Sequence, residues 1–126
     1  MAEISTLKRG AKSEGFASLS EEEVALAAKS GNQDATEWIV NRYKEFIKMR
    51  SHTFYLAGAD QEDVMQEGML GLYKAILGFE DDKGASFKTF AELCINRQLQ
   101  RFAAIQRITV PSKTFLERLN LGQLFS

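Results

Sequence analysis

The stretch DVMQEGMLGLYKAIL, residues 63–77, decides the fold, and it is apolar on two sides at once. Val64, Gly68, Leu72, Ala75 and Phe79 recur at steps of three and four, the spacing of a helix face turned to a core. At about 100° per residue the opposite face receives Asp63, Gln66, Leu70, Tyr73 and Leu77. A face left in water has no need of two leucines and a tyrosine. Gly68 and Gly71 each cost about 1 kcal/mol against alanine in a helix. Both fall at or near the core stripe, where a missing side chain admits a neighbouring backbone. The spacing predicts a helix that packs on one side and keeps a second surface for something else.

Outward from this helix the chain reads as helical throughout. Ser20 followed by Glu23 is a capping box that opens a short helix to about residue 30. SGNQ breaks it, and a long helix over about residues 34–55 follows, with Ile39, Tyr43, Phe46, Ile47 and Phe54 on one face. AGAD ends that helix, and Asp60 with Asp63 suits the start of the next, which runs through residue 78. GFEDDKGAS is a polar, glycine-bounded loop, and a fourth helix spans about residues 87–106. Pro111 then permits a fresh start, so SKTFLERLNLGQL suits a final short helix. One proline, no strand alternation and no Asn-Gly turn predict an all-α fold, a compact bundle of about four to five helices. Residues 1–18 lack periodicity and read as a flexible tail, residues 19–107 as the helical domain, and residues 108–126 as a short helix or tail.

Composition narrows the function. With 126 residues, 44% hydrophobic and 26% charged, the chain suits one globular domain with a real core. A single Cys and a single His make neither an internal disulfide nor a tetrahedral metal site, so no metal and no cofactor is expected. No apolar run reaches membrane-spanning length, and MAEISTLKRGAKSEG carries no signal-peptide segment, which makes the cytoplasm the expected compartment and excludes a membrane partner. Catalysis is discounted, with no catalytic residue named. His52 stands inside the long helix, Cys94 falls on an inward stripe, GLYKAILG lacks the phosphate-loop spacing, and Asp81 and Asp82 suit a solvated loop.

Charge is segregated. Residues 20–45 carry six acids against three bases, and residues 46–85 seven against four. Residues 86–118 reverse this, with Lys88, Arg97, Arg101, Arg107, Lys113 and Arg118 against Glu92 and Glu117. A basic segment of this kind suits an anionic partner. Within it, SFKTFAELCINRQLQRFAAIQR places Phe87, Phe90, Ala91, Cys94 and Ile95 on an inward stripe that extends to Leu99 and Phe102. Lys88, Arg97, Gln100 and Arg101 lie outside it, with Arg97 and Arg101 one turn apart. Aromatic rings stack on unpaired bases, guanidinium groups hold phosphates, and Arg and Gln read base edges, so the pattern suits nucleic acid. Phe90 and Phe102 suit the core better, Phe87 beside the loop suits either, and the arginines also suit a solvated face.

LSEEEVALAAKSGNQDATEWIVNRY (residues 19–43) and ADQEDVMQEGMLGLYKAILGFEDDKGASFKTFAELCINRQ (residues 59–98) together resemble conserved region 2 of bacterial sigma-70 family transcription initiation factors, and within them the sigma-H type. The resemblance covers residue 19 to about residue 101. It rests on Asp63, Gln66, Glu67, Gly68, Gly71 and Leu72, on the Phe-Glu-Asp-x-Lys-Gly-x-x-Phe loop, and on Phe87, Thr89 and Phe90. It implies a non-enzymatic factor that binds core RNA polymerase and recognises and melts the promoter minus-10 element. Asp63, Gln66, Glu67, Met69, Leu70 and Tyr73 match the positions that grip the coiled-coil clamp helices of the β′ subunit. Lateral packing on the N-terminal tail or a homodimer is the other use for that face.

The same resemblance implies that Lys83, Phe87, Lys88, Thr89 and Phe90 capture the unpaired non-template strand, with bases flipped into pockets. Arg97, Gln98, Gln100 and Arg101 match the portion facing the upstream duplex edge. An anti-sigma factor is a further candidate partner. Leu93 and Cys94 stand where primary factors carry paired tryptophans, and the chain is shorter than the family between Arg101 and the Ile-x-Val-Pro element. No helix-turn-helix for a minus-35 element follows. The sequence therefore reads as an isolated domain, a truncated gene or a divergent short factor. The alternative function is a polymerase-binding decoy or split-factor subunit without DNA recognition.

Overall fold

A computed structural model describes residues 13–108. They form five α-helices and one 3-10 turn: α1 Ser13–Ala17, α2 Glu21–Lys29, α3 Gln33–Leu56, α4 Gln61–Gly78, the turn Asp81–Lys83, and α5 Phe87–Ile105. No strand occurs among the described residues, so the all-α expectation holds.

Each boundary has a local cause. Ser20 Oγ accepts from the Glu23 N–H at 3.1 Å while the Ser20 N–H donates to Glu23 Oε1 at 3.2 Å, a complete capping box at the start of α2. The Asn32 side chain caps α3 through the Ala35 N–H at 3.0 Å, Asp60 caps α4 through the Asp63 N–H at 3.2 Å, and Ser86 caps α5 through the Thr89 N–H at 3.1 Å. In each case a short polar side chain takes a backbone donor that the first helical turn leaves without a partner. Gly31 and Gly58, at φ of +103° and +106°, turn the chain out of α2 and α3 in a conformation that L side chains rarely adopt.

The core lies between α3, α4 and α5, and α2 packs against all three. Val64, Gly68, Leu72, Ala75 and Phe79 are all buried, as the period predicts, and Gly71 and Ile76 join them. The two glycines do different work. A Cβ on Gly71 would lie 2.8 Å from Ile95 Cα and 2.9 Å from the Cys94 carbonyl oxygen, so here the α5 backbone rests directly on α4. A Cβ on Gly68 would lie 2.5 Å from Ile47 Cγ2, so that glycine receives a side chain of α3.

Part of the stretch expected as a tail, residues 1–18, is folded. Residues 13–17 are helical, and Phe16 is fully buried with its ring 6.5 Å from Trp38. A single apolar residue in so short a segment shows no period, yet burying one aromatic ring is worth about 1.5–3 kcal/mol. Residues 1–12 and 109–126, including the short helix expected after Pro111, lie outside the described residues.

Candidate functional site

The second side of α4 is bare. Asp63, Gln66, Leu70, Tyr73 and Leu77 are exposed, with 41% of Leu70, 51% of Tyr73 and 49% of Leu77 accessible. Because Val64, Gly68, Leu72 and Ala75 already commit one face to the core, the helical period turns these residues outward. The result is a ridge of apolar side chains with an acid and an amide near the start of the helix. Met69 is half-buried and packs partly against the core, and Glu67 is half-buried beside α5. The six predicted partner-binding residues thus form an exposed line of four, flanked by two that also serve the fold.

Residues 79–86 and the first turns of α5 make a second feature. Gly84, at φ +80°, closes the 3-10 turn after Lys83. Gly78, Phe79, Glu80, Lys83, Ala85 and Phe90 line a cavity of about 120 Å³. Phe79 and Phe90 sit 6.1 Å apart between ring centroids. Lys83 Nζ lies 3.5 Å from Glu80 Oε2, both side chains mostly in water. The volume is of the order of the roughly 150 Å³ cavity that admits a benzene ring. A planar ring against the half-buried Phe90, with a cation and a carboxylate beside it, is what this space can hold.

Phe87 has a different fate from the one the resemblance implied. It is fully buried, edge-on to Tyr43 at 5.8 Å and to Phe79 at 5.2 Å. Its ring therefore offers no stacking surface and belongs to the core that supports the loop. Gln98 also departs from its predicted role at the duplex-facing surface. It is half-buried in the seam between α4 and α5, where Nε2 donates to Glu67 Oε2 at 2.6 Å and Oε1 accepts from Lys74 Nζ at 2.9 Å. Both ends of its amide are engaged.

The remaining predicted residues reach solvent. Lys83, Lys88 and Thr89 are exposed, as are Arg97, Gln100 and Arg101. Thr89, Leu93, Arg97 and Arg101 follow at steps of four down the outer side of α5, and Leu93 is 43% exposed. Leu93 was not among the predicted contacts, although that four-residue stripe was visible in the sequence. Cys94 beside it is half-buried, and burial pushes its thiol pKa up, leaving the thiol protonated and a weak nucleophile.

A broader, open cavity of about 470 Å³ lies between α2, α3 and α5, lined by residues that include Tyr43, Phe46, Met49 and Lys88. The Tyr43 hydroxyl donates to Glu21 Oε1, and Glu21 Oε2 accepts from Arg42 Nε at 2.8 Å. Burial first, and then the bond to Glu21, push the Tyr43 phenol pKa well up. Three carboxylates, Glu21, Glu45 and Glu92, face Arg42 and Lys88 around this cavity. Sequence reading missed it because its lining comes from three elements far apart along the chain.

The model for sigma-70 region 2 matches residues 39–107. The chain is similar to the RNA polymerase sigma-H factor of Bacillus subtilis (strain 168), 45% identical over 86 residues that cover 68% of this chain and 39% of that protein. It is similar also to the RNA polymerase sigma factor FliA of Pseudomonas aeruginosa, 33% identical over 75 residues, covering 57% of this chain and 30% of that protein. The chain therefore spans well under half the length of these relatives. No solved structure matches it significantly.

Proposed function

Since the chain belongs to the sigma-70 family through its region 2, we propose that it binds core RNA polymerase through the outer face of α4 and holds the unpaired minus-10 strand of a promoter at the loop of residues 79–86 and the start of α5. The observation that carries this reading is the two-sidedness of α4. One face is closed by the core, and the other leaves Leu70, Tyr73 and Leu77 in water. Exposed aromatic and aliphatic anchors with a polar rim are the ordinary chemistry of a protein interface. Asp63 and Gln66 would set register against basic and polar groups of the β′ clamp helices. An anti-sigma factor would act most directly by covering the same face.

On the DNA side, an extruded base would enter the cavity beside Phe90, stacking on that ring while Lys83 and Lys88 hold the adjoining phosphates. The broader cavity at Tyr43 and Met49 would take a second unpaired base, its carboxylates accepting from exocyclic amines. Arg97, Gln100 and Arg101 would meet the upstream duplex edge. No bond is made or broken. Strand separation would follow from tighter binding to the open than to the closed form, since a ligand shifts an equilibrium only by its differential affinity.

The test is binding of the chain to core RNA polymerase, and to the isolated β′ clamp helices, followed by titration with duplex and pre-melted promoter fragments. Binding to the clamp helices and preference for the pre-melted fragment are expected. The decoy or split-factor reading has its own supporting observation. With Phe87 buried and Leu93 and Cys94 aliphatic or half-buried, Phe90 is the stacking ring left at the start of α5. Polymerase binding without any preference for the pre-melted fragment would favour it.

A further inference from the structure

The loop that frames the small cavity is held at both ends by one helix that contributes nothing to the cavity wall. Where α4 ends, Lys29 Nζ donates to the Phe79 carbonyl oxygen at 2.9 Å. Where α5 begins, the Phe87 N–H donates to Glu22 Oε2 at 2.8 Å. Both side chains come from α2, seven residues or about two helical turns apart. Each charge meets the helix end it complements. An ammonium group sits on the carbonyl end of α4 and a carboxylate on the amide end of α5, the arrangement that helix dipoles favour. Between these anchors, residues 80–86 are braced by the exposed Lys83–Glu80 pair, a backbone bond from the Lys83 N–H to the Glu80 carbonyl, and the Ser86 cap. The separation and tilt of the two loop ends therefore depend on contacts across 50 and 65 positions of sequence. Phe79 at one end and Phe90, one turn beyond the other, are the two rings of the cavity.

We infer that Glu22 and Lys29 are positioning residues for the unpaired-base site, so that α2 sets the shape of the strand-capture loop without touching DNA. This inference rests on the strand-capture reading above. A side chain that merely supports the fold would affect stability, polymerase binding and strand capture together. A positioning pair affects capture alone, because the α4 outer face is built by the helical period and the core beneath it.

The experiment uses the chain assembled with core RNA polymerase. The probe is the non-template minus-10 strand of a promoter served by the Bacillus subtilis sigma-H factor, carrying 2-aminopurine at each adenine in turn. Lys29→Met and Glu22→Ala are compared with Lys29→Arg and Glu22→Gln, which keep a donor and an acceptor. Polymerase affinity and thermal melting are measured on the same proteins. Losing one charge-assisted hydrogen bond is expected to weaken strand binding roughly tenfold. In Lys29→Met and Glu22→Ala it should also shrink the fluorescence rise at the captured base, while polymerase affinity stays at the wild-type value. Lys29→Arg and Glu22→Gln are expected to recover most of both signals. Wild-type strand affinity and fluorescence in Lys29→Met and Glu22→Ala would overturn the inference. So would parallel loss of polymerase and strand binding in those variants. Absence of any fluorescence rise with the wild-type chain would instead bring down the strand-capture reading itself.

Discussion

Replacing Leu70 by glutamate is the sharpest test of the bare face of α4. Complete burial of a leucine is worth about 1.5–3 kcal/mol. Since 41% of Leu70 and 51% of Tyr73 remain in water, a partner that covers them recovers about 1 kcal/mol from each. Leu70→Ala should therefore weaken polymerase binding by something near fivefold, about 1 kcal/mol. Leu70→Glu loses the same contact and also forces a carboxylate into a desolvated, apolar seam. Together these should cost at least about 3 kcal/mol, more than a hundredfold in affinity. The free chain should scarcely notice. Glutamate is nearly as good a helix former as leucine, and exposed substitutions of this kind change stability by about 0.5 kcal/mol or less. Titration onto immobilised core polymerase, with circular dichroism of the free variants, reads both quantities. Leu72→Ala is the contrasting control. Leu72 is fully buried, so that variant should lose about 2–5 kcal/mol of stability. Wild-type polymerase binding by Leu70→Glu would refute the reasoning, and so would a loss of binding matched by a loss of helix.

Phe87→Ala should act on the fold before it acts on DNA, lowering stability by about 3–5 kcal/mol in chemical denaturation because the ring fills the space between Tyr43 and Phe79. Phe90→Ala, by contrast, should reduce affinity for a pre-melted fragment by about 1–3 kcal/mol, the worth of one base stacked on an aromatic ring. Arg101→Ala should reduce the salt dependence of duplex binding by about 0.9 in logarithmic slope, the loss of one phosphate contact, measured by titration of the duplex promoter fragment at two ionic strengths. Tyr43 predicts an alkaline effect. Its folded pKa is raised above the ordinary 10.0 by burial and by Glu21, so its stabilising share is intact below that value. The share is lost as pH climbs from there toward the folded pKa, while the unfolded chain ionises and the folded one resists. Denaturation across this range should show stability falling in the wild type and a shallower fall in Tyr43→Phe.

Much of this protein was legible from short-range pattern. The caps at Ser20 and Asp60, the extents of α2 to α5, and the exposure of Leu70 and Tyr73 all follow from residues within about one turn of each other, where helical geometry dictates who faces whom. The resemblance to sigma-70 region 2 also lay in contiguous strings. Tertiary packing decided the rest. Phe87 reads equally well as a base-stacking ring or a core residue until Tyr43 and Phe79 close around it. Gln98 looks like a free amide on a basic helix until Glu67 and Lys74 of α4 claim both its ends. Phe16 has no periodic neighbours to announce its burial against Trp38. The bonds from Glu22 and Lys29 that hold the loop beside Phe90 join residues 65 and 50 positions apart. Periodicity records which side of a helix is apolar, but which helix comes to rest on that side depends on the whole chain folding at once, and the candidate site is built in those meetings.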